Sequence, residues 1–486
     1  MPSSAPIDRI LGTDPQFGDS AAIEARNIAR FRLGLTVLAR RFPEAADRFE
    51  RLGREADPVL RPFLYDPVLR NAFEDDLVAL ENHRQDPSEL AAHLGAADLD
   101  AADGLGPCER LMDPRHRPWP GRGVGWVWTD VRPGTGALPL AARLEELCAG
   151  TFADLRGARR VSPDEKAVTG LTRGAELLAE LLPHSGAGVF PHISLVGLAR
   201  GETDDGELYS LSGGDPLPSA LFIAPEHLDD PWATAEILLH EGLHLKQFDV
   251  LRTGSLVADP GHQVEIPWRL SPWSLTRVLA ALHVYAHMVL FFAAAAEAPA
   301  GLRERFGEPP VTEDVGVPTP GSRAALEGGF TTSAQRATYL GYQALQVHGG
   351  ALTPAGRRFV EWLLDAVAPL VPAVRTPEPA ADGRADAPAA DRSGEPPAPE
   401  PRGYRKVEPV AVCALPEQRQ LLAYAPGPAR FHWLNEHAWL IYALCDGSPL
   451  GAIEERYAAQ LGTVDRRLAA GLAGLVAAGL VAPVGD

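Results

Sequence analysis

The sequence predicts a mainly α protein with a small β component. It consists of a large α+β domain with a His-Glu-x-x-His motif on a helix and a C-terminal winged-helix module of three strands and three helices. Apolar residues recur at helical spacing over long stretches, for example over 21–42, which favours helices. Only short β-branched runs interrupt this pattern. A break in composition near residue 375 separates the two folded parts.

Composition and charge exclude several classes of protein. The chain has 486 residues, 45% of them hydrophobic, which is enough to bury a sizeable core. Its net charge of −19 disfavours binding to nucleic acid or to anionic lipid. Four scattered cysteines form no CxxC pair, and no signal peptide is visible, so we expect a cytoplasmic protein. The one long apolar run, 278–296, contains two histidines and is predicted to be a core helix rather than a membrane span.

The elements of the large domain follow in chain order. The patterns predict helices over 21–42, after Asp57-Pro58 and Asp66-Pro67, and over 138–155 and 163–182. They predict a loop over 91–120 and a strand over 123–131. Two further short strands, 192–198 and 220–224, precede helices over 231–251 and 273–296.

The domain boundaries follow from a segment that cannot form a core. Residues 376–403 include seven prolines and no Leu, Ile, Val, Met or aromatic residue. Such a composition is typical of a disordered linker. We therefore expect a domain over 1–375, a linker over 376–403 and a module over 404–486.

The candidate metal site is the sequence His240-Glu241-Gly242-Leu243-His244. Residues four apart project from one face of a helix, so two imidazoles can bind the same metal ion. Glu241 lies beside the metal-binding face and would be the catalytic residue, as general base if the protein were a zinc protease.

A third ligand would decide the class of site. Gln247 and Val250 stand where a metzincin needs glycine and histidine, so that class is excluded. Glu265 lies outside a helix, and Asp249 lacks the surrounding pattern of an aspzincin-like site. We favour His283, on the helix 273–296, with His287 and His262 as alternatives.

A site of three histidines suits two metals. It fits Zn²⁺ with a bound water, and it fits Fe(II) with open positions for oxygen and a keto acid. A keto acid also needs a cation for its distal carboxylate. Arg269 and Arg277, which precede His283, are the candidates, and the sequence does not choose between them.

The module is predicted from strands at 407–415, 420–425 and 430–434, followed by helices after Asn435 and over 450–461 and 464–478. Arg466 and Arg467 are the only basic residues of the last helix, which argues against binding of this helix in a groove of DNA. The block LNEHAWLIYALCDG, from Leu434 to Gly447, resembles the peptide chaperones of pyrroloquinoline-quinone biosynthesis, whose fold is the leader-recognition element of ribosomal peptide modification systems.

That resemblance implies that a leader peptide adds as a strand in a groove between the third strand and the last helix. The peptide-binding residues that it implies are Phe431, Trp433, Leu434, Arg466, Leu468 and Leu472. The partner would be a ribosomally synthesised precursor peptide, comprising a leader and a core.

The large domain also resembles a known family. The HExxH helix, Pro267-Trp268-Arg269 and the Leu282-His283 helix look like the HExxH-containing peptide-modification family. The resemblance implies an Fe(II)/2-oxoglutarate-dependent dioxygenase that β-hydroxylates a core-peptide side chain, with His240, His244 and His283 on the iron. It also implies that Glu241 orients a ligand or the substrate. Thr276-Arg277 departs from the Arg-Pro pair that members often carry.

Two other functions remain open from the residues alone. One is a Zn²⁺ peptidase that processes the modified peptide with Glu241 as base. The other is a non-catalytic peptide-carrier scaffold, which a fourth ligand such as His287 or Asp249 would favour. The sequence does not identify the peptide, the modified residue, the stereochemistry or the oligomeric state.

Overall fold

The computed structural model describes residues 3–97, 99, 104–113, 116–119, 125–134, 139–203, 206–269, 271–310, 330–371, 401–427, 429–461 and 466–484. The chain divides into two compact units. One comprises Met1–Val78 and Asp86–Arg375, and the other comprises Ala79–Gln85 and Thr376–Asp486. The predicted linker lies outside the described residues from 376 to 400.

Helices dominate the chain up to residue 371. In chain order they are α1 Ser4–Thr13, α2 Ser20–Arg41, α3 Ala46–Gly53, α4 Asp57–Leu64, α5 Pro67–Glu81, α6 Glu89–Ala96, α7 Pro139–Thr151, α8 Glu165–Leu181, α9 Pro231–Leu251, α10 Leu275–Ala296, α11 Ala300–Phe306, α12 Ser333–Tyr342 and α13 Pro354–Val367. The strands are β1 Met112–Asp113, β2 Trp126–Val127, β3 Asp130–Val131, β4 Arg156–Val161, β5 Leu195–Thr203, β6 Gly206–Glu207, β7 Ser210–Ser212, β8 Ala220–Ile223, β9 Gln263–Val264 and β10 Trp273–Ser274. The prediction of a mainly α fold with a small β component is confirmed.

A six-stranded sheet supports the helices. Its main path runs β2-β5-β8-β7, and β4 and β6 also pair with β5. The β2/β5 and β5/β8 pairs are parallel, whereas β7 runs antiparallel to β8. Since β7 is the last strand of this path, it is an edge strand, and its other side has no strand partner in the part of the chain that the structure describes.

The helix α9 begins where the sequence predicts. Pro231 takes the first helical position, and the Asp230 side chain accepts a hydrogen bond from the backbone N–H of Trp232 at 2.9 Å. This N-cap and first-turn proline are strong local start signals. The helix packs in the main core against α8 and α10, so most of its residues are buried.

The helix α10 is long and apolar enough to cross a membrane, but 78% of its most apolar window is buried inside the protein. Its side chains pack with those of α9, α12 and α13 in the main core. These contacts are those of a core helix, as the sequence predicts.

The second unit contains β11 Gly403–Lys406, β12 Ala411–Leu415, β13 Gln420–Tyr424, β14 Phe431–Leu434 and β15 Val481–Val484. Its helices are α14 Glu436–Leu444, α15 Leu450–Leu461 and α16 Arg466–Ala477. The strands β12, β13 and β14 form an antiparallel sheet in that order, and β11 pairs with β15. A core of its own includes Leu421, Ile441, Ile453, Tyr457 and Leu475.

Some sequence predictions differ from the structure in detail. The predicted loop 91–120 begins inside α6, whose Ser88 cap accepts from the Ala91 backbone N–H. The predicted strand 123–131 is reduced to β2 and β3, with residues 121–124 outside the described part. The strand predicted over 407–415 begins later, at Ala411, and the additional strands β11 and β15 pair with each other.

Candidate functional site

The helix α9 brings together the two histidines of the motif. The ring centroids of His240 and His244 lie 5.1 Å apart. Burial, then His240 and then Arg277 lower the pKa of His244 to about 3. His244 is therefore neutral at pH 7, as a metal ligand must be.

Glu241 points to the sheet. It is 5% exposed, and its Oε1 accepts a hydrogen bond of 2.6 Å from the hydroxyl of Ser210, the first residue of β7. This bond fixes the carboxylate of the motif to the edge strand. The arrangement suits a group that positions a ligand or accepts a proton beside the two histidines.

The two histidines of α10 have different surroundings. The Nδ1–H of His287 donates to the carbonyl oxygen of His283 at 2.9 Å, so His287 is a hydrogen-bonded core histidine. Neither ring nitrogen of His283 has a partner in the described part of the chain, although His283 is only 1% exposed. Burial, then His287, Lys246, His244 and His192 hold the pKa of His283 well below its usual range. The bond of His287 does not involve its Nε2, and metal-bound histidines commonly make such a bond. His283 therefore stays the predicted third ligand, with His287 as the alternative.

A buried ion network occupies the opposite face of α9. Asp249 accepts from Tyr65 Oη at 3.3 Å and from Arg70, and its Oδ2 lies 2.5 Å from Nδ1 of His192. Lys246 donates to the carbonyl of Gly18. Because the bonds of Asp249 are directed to these residues, it anchors the helix and is not available as an aspzincin-like or fourth ligand.

The remaining ligand candidates lie elsewhere. His262 Nε2 is 2.9 Å from Nδ1 of His348, and Glu265 is exposed. Arg269 and Arg277 both lie over the ring of Trp273, with guanidinium-to-centroid distances of 5.6 and 4.6 Å. Since only Arg277 contributes to the pKa shift of His244, it is the better placed of the two cations.

The donor set fits a metal in part. His240 and His244 are a suitable pair for Fe(II) or Zn²⁺, whose sites use neutral imidazoles. Among the residues that the structure describes, however, no group of three or more His, Cys, Asp or Glu side chains is placed to hold a metal ion. His283 remains the predicted third ligand, and it would have to approach the pair.

The second unit presents a strand edge. β14 pairs with β13 from Tyr424↔Phe431 to Leu421↔Leu434 and is the last strand of its sheet. Phe431 and Trp433 are half-buried on this strand, and Phe431 contacts Tyr424 with ring centroids 5.0 Å apart. The other side of β14 has no strand partner among the residues that the structure describes, and an edge of this kind can accept an added strand.

Three of the residues implied for peptide binding belong to the core of this unit. Leu434, Leu468 and Leu472 are 5%, 2% and 4% exposed and pack with Ile441 and its neighbours. The inner face of α16 packs on α14 through these side chains, and the implied peptide groove stays a prediction. Arg466 begins α16, but its side chain lies outside the described part.

Sequence reasoning missed several features of these sites. Ser210 and the His192–Asp249 pair carry no local signal, because their partners are far along the chain. Gln247 departs from the metzincin pattern, and its place three residues after His244 puts it on the same face of α9 as the histidine pair.

A surface groove of about 340 Å³ on α14 and α15 is lined by Glu436, His437, Trp439, Leu440, Ala443 and Gln460.

No known protein-family model and no curated protein matches this chain. The family resemblances therefore remain expectations, carried by the motif residues alone.

Proposed function

We propose that the protein β-hydroxylates a side chain of a ribosomally synthesised precursor peptide, using Fe(II), 2-oxoglutarate and O₂. The observation that carries this proposal is the neighbouring pair His240 and His244, on a helix whose Glu241 is bonded to the edge strand β7. An extended peptide can add to such an edge and so lie beside the pair.

The chain's own residues would bind and orient the reactants. His240, His244 and the predicted third ligand His283 would hold the iron, and Arg277 would bind the distal carboxylate of 2-oxoglutarate through its guanidinium. Ser210 and Glu241 would position the substrate. Iron and the keto acid together supply oxidation by O₂. In the overall reaction, C–H, O₂ and 2-oxoglutarate become C–OH, succinate and CO₂.

The second unit would hold the leader of the same peptide. Its unpaired β14 edge, with Phe431 and Trp433, supports strand addition as in the winged-helix leader-recognition elements that its sequence resembles. The linker would keep the core peptide near the metal site. A cytoplasmic location is consistent with the reduced cysteines and with a peptide substrate made on the ribosome.

A second function is favoured by one observation. Glu241 is a buried carboxylate next to His240, which is where a zinc peptidase places its general base. In that case the metal would be Zn²⁺, no keto acid would be needed, and the peptide would be cleaved.

The deciding experiment is anaerobic reconstitution of the full chain with Fe(II), followed by addition of 2-oxoglutarate, O₂ and the precursor peptide. We expect succinate together with a peptide mass gain of one oxygen atom. The His244→Ala variant should lose both, and His262→Ala should retain both. Peptide cleavage after Zn²⁺ loading, without succinate from the iron form, would replace the hydroxylase with the peptidase.

A further inference from the structure

Gln247 is a polar residue of α9 that the proposed chemistry does not use. It is 2% exposed, and neither its amide nitrogen nor its amide oxygen has a hydrogen-bond partner among the residues that the structure describes. Buried amides are nearly always hydrogen-bonded, so a side chain with both polar atoms unpaired needs an explanation.

The position of Gln247 on the helix links it to the histidine pair. It follows His240 by seven residues and His244 by three, so all three side chains share one face of α9. At the helical rise, Gln247 stands about 4.5 Å along the axis from His244. Gly242 and Asp249 lie on the opposite face of α9, which packs on the turn Ala187–His192.

A second unpaired group lies on the neighbouring helix. Among the residues that the structure describes, His283 of α10 has no hydrogen-bond partner for either ring nitrogen. Two buried polar side chains, on the two packed helices α9 and α10, thus lack partners for four atoms in the part of the chain that the structure describes. This shortage marks a place where a polar ligand binds.

The amide chemistry selects the ligand. A carboxylate would pair with the amide N–H groups and leave the oxygen unpaired, and a metal ion would pair with the oxygen and leave the nitrogen unpaired. A group that donates and accepts side by side satisfies both atoms. In an extended substrate, the backbone N–H and C=O of one residue point the same way and form such a pair.

We propose that Gln247 is a substrate-binding residue, whose side-chain amide pairs with the backbone N–H and C=O of one residue of the peptide beside His240 and His244. This inference rests on the proposed action on a peptide but not on which reaction follows. It makes Gln247 a residue that fixes the register of the substrate, and not a metal ligand.

The test compares Gln247→Met and Gln247→Glu with wild type in the full chain loaded with Zn²⁺. The probes are a blocked alanine hexapeptide and analogues in which one amide is replaced by an ester, which removes the N–H. We expect wild type to bind the all-amide probe about 10-fold more tightly than the ester analogue at one position, because one hydrogen bond is lost. The Met variant should lose this preference. The Glu variant should keep it, because its carboxylate still accepts from the N–H, and the exposed control Gln263→Met should keep it as well.

Two further readouts separate the competing explanations. The Met variant should bind as much Zn²⁺ as wild type, and its melting temperature should equal or exceed that of wild type, because it removes unpaired polar atoms from the interior. A loss of bound Zn²⁺, a lower melting temperature, or equal amide preference in wild type and the Met variant would overturn the inference. If the preference depends on Gln247 but no peptide is hydroxylated or cleaved, the inference stands and the proposed function fails.

Discussion

His283 and His287 lie one helical turn apart, and their surroundings differ. His287 donates to a backbone carbonyl, whereas neither ring nitrogen of His283 has a partner among the described residues. Spacing alone treats these histidines as equivalent. The distinction comes from hydrogen bonding, which is a property of the packed structure.

The two arginines before His283 can be separated by kinetics. We expect Arg277→Ala to raise the KM for 2-oxoglutarate by about 10- to 100-fold, because a charge-assisted contact to a carboxylate is lost. Arg269→Ala is the matched control, since Arg269 lies over the same Trp273 ring, whereas Arg277 is the arginine that lowers the pKa of His244. Succinate formation at varied 2-oxoglutarate measures both, and equal KM values in the two variants would contradict the assignment.

Glu241→Gln distinguishes the two enzyme functions. In a hydroxylase, Glu241 only positions other groups, so we expect the variant to retain measurable hydroxylation. In a peptidase, the variant loses its general base, and activity should fall by about 10²-fold or more. The peptide mass and succinate are measured in parallel, and loss of both products to background would exclude the positioning role.

At the scale of the element, Gly242 sets how closely α9 packs. A Cβ added there would lie 2.6 Å from Cβ of Val189, which is too close for the turn Ala187–His192 to stay in place. We expect Gly242→Ala to destabilise the fold by about 1–3 kcal/mol. Gly150→Ala on α7 is the control, because a Cβ there meets no atom and should be neutral or stabilising. Denaturant unfolding measures both.

An ion cluster joins α2, α5 and the end of α9. Burial would raise the pKa of Glu74, but Arg30 and Arg252 outweigh it and lower this pKa from 4.5 to about 2. Because the folded-state pKa is the lower one, the charged group stabilises the fold above pH 4.5, and this contribution is lost as the pH falls towards 2.

We therefore expect Glu74→Gln to cost on the order of 3 kcal/mol at pH 7 and much less near pH 3. Unfolding free energies of wild type and variant at the two pH values test this. A difference that does not change with pH would show that packing, and not charge, makes Glu74 important.

The elements that the sequence predicts best are those with local signals. α2, α9 and α10 have capping residues, a first-turn proline or long apolar periods, all within a few residues of the helix ends. The Ser210–Glu241 bond and the His192–Asp249 pair join residues 31 and 57 positions apart, so no local pattern encodes them. The proximity of His240 and His244 was predictable because four-residue spacing needs only a helix, whereas the position of a third histidine depends on how two helices pack.

At the scale of the whole molecule, the chain forms two units, each with its own hydrophobic core. If the second unit binds the leader, the leader raises the local concentration of the core peptide at the first unit. We expect a precursor without its leader to show a kcat/KM about 10²-fold lower, mainly through KM. A precursor with a scrambled leader is the control, and equal values for native and scrambled leaders would contradict leader recognition by the second unit.

The unpaired edge of β14 also affects the behaviour of the protein without its peptide. An edge strand with two half-buried aromatic side chains is a template for pairing with the same strand of another copy. The leader peptide would then protect the protein from self-association as well as guide the substrate. If the proposed function holds, colloidal stability in the cell would follow the supply of precursor, and the protein would stay dispersed while precursor is present.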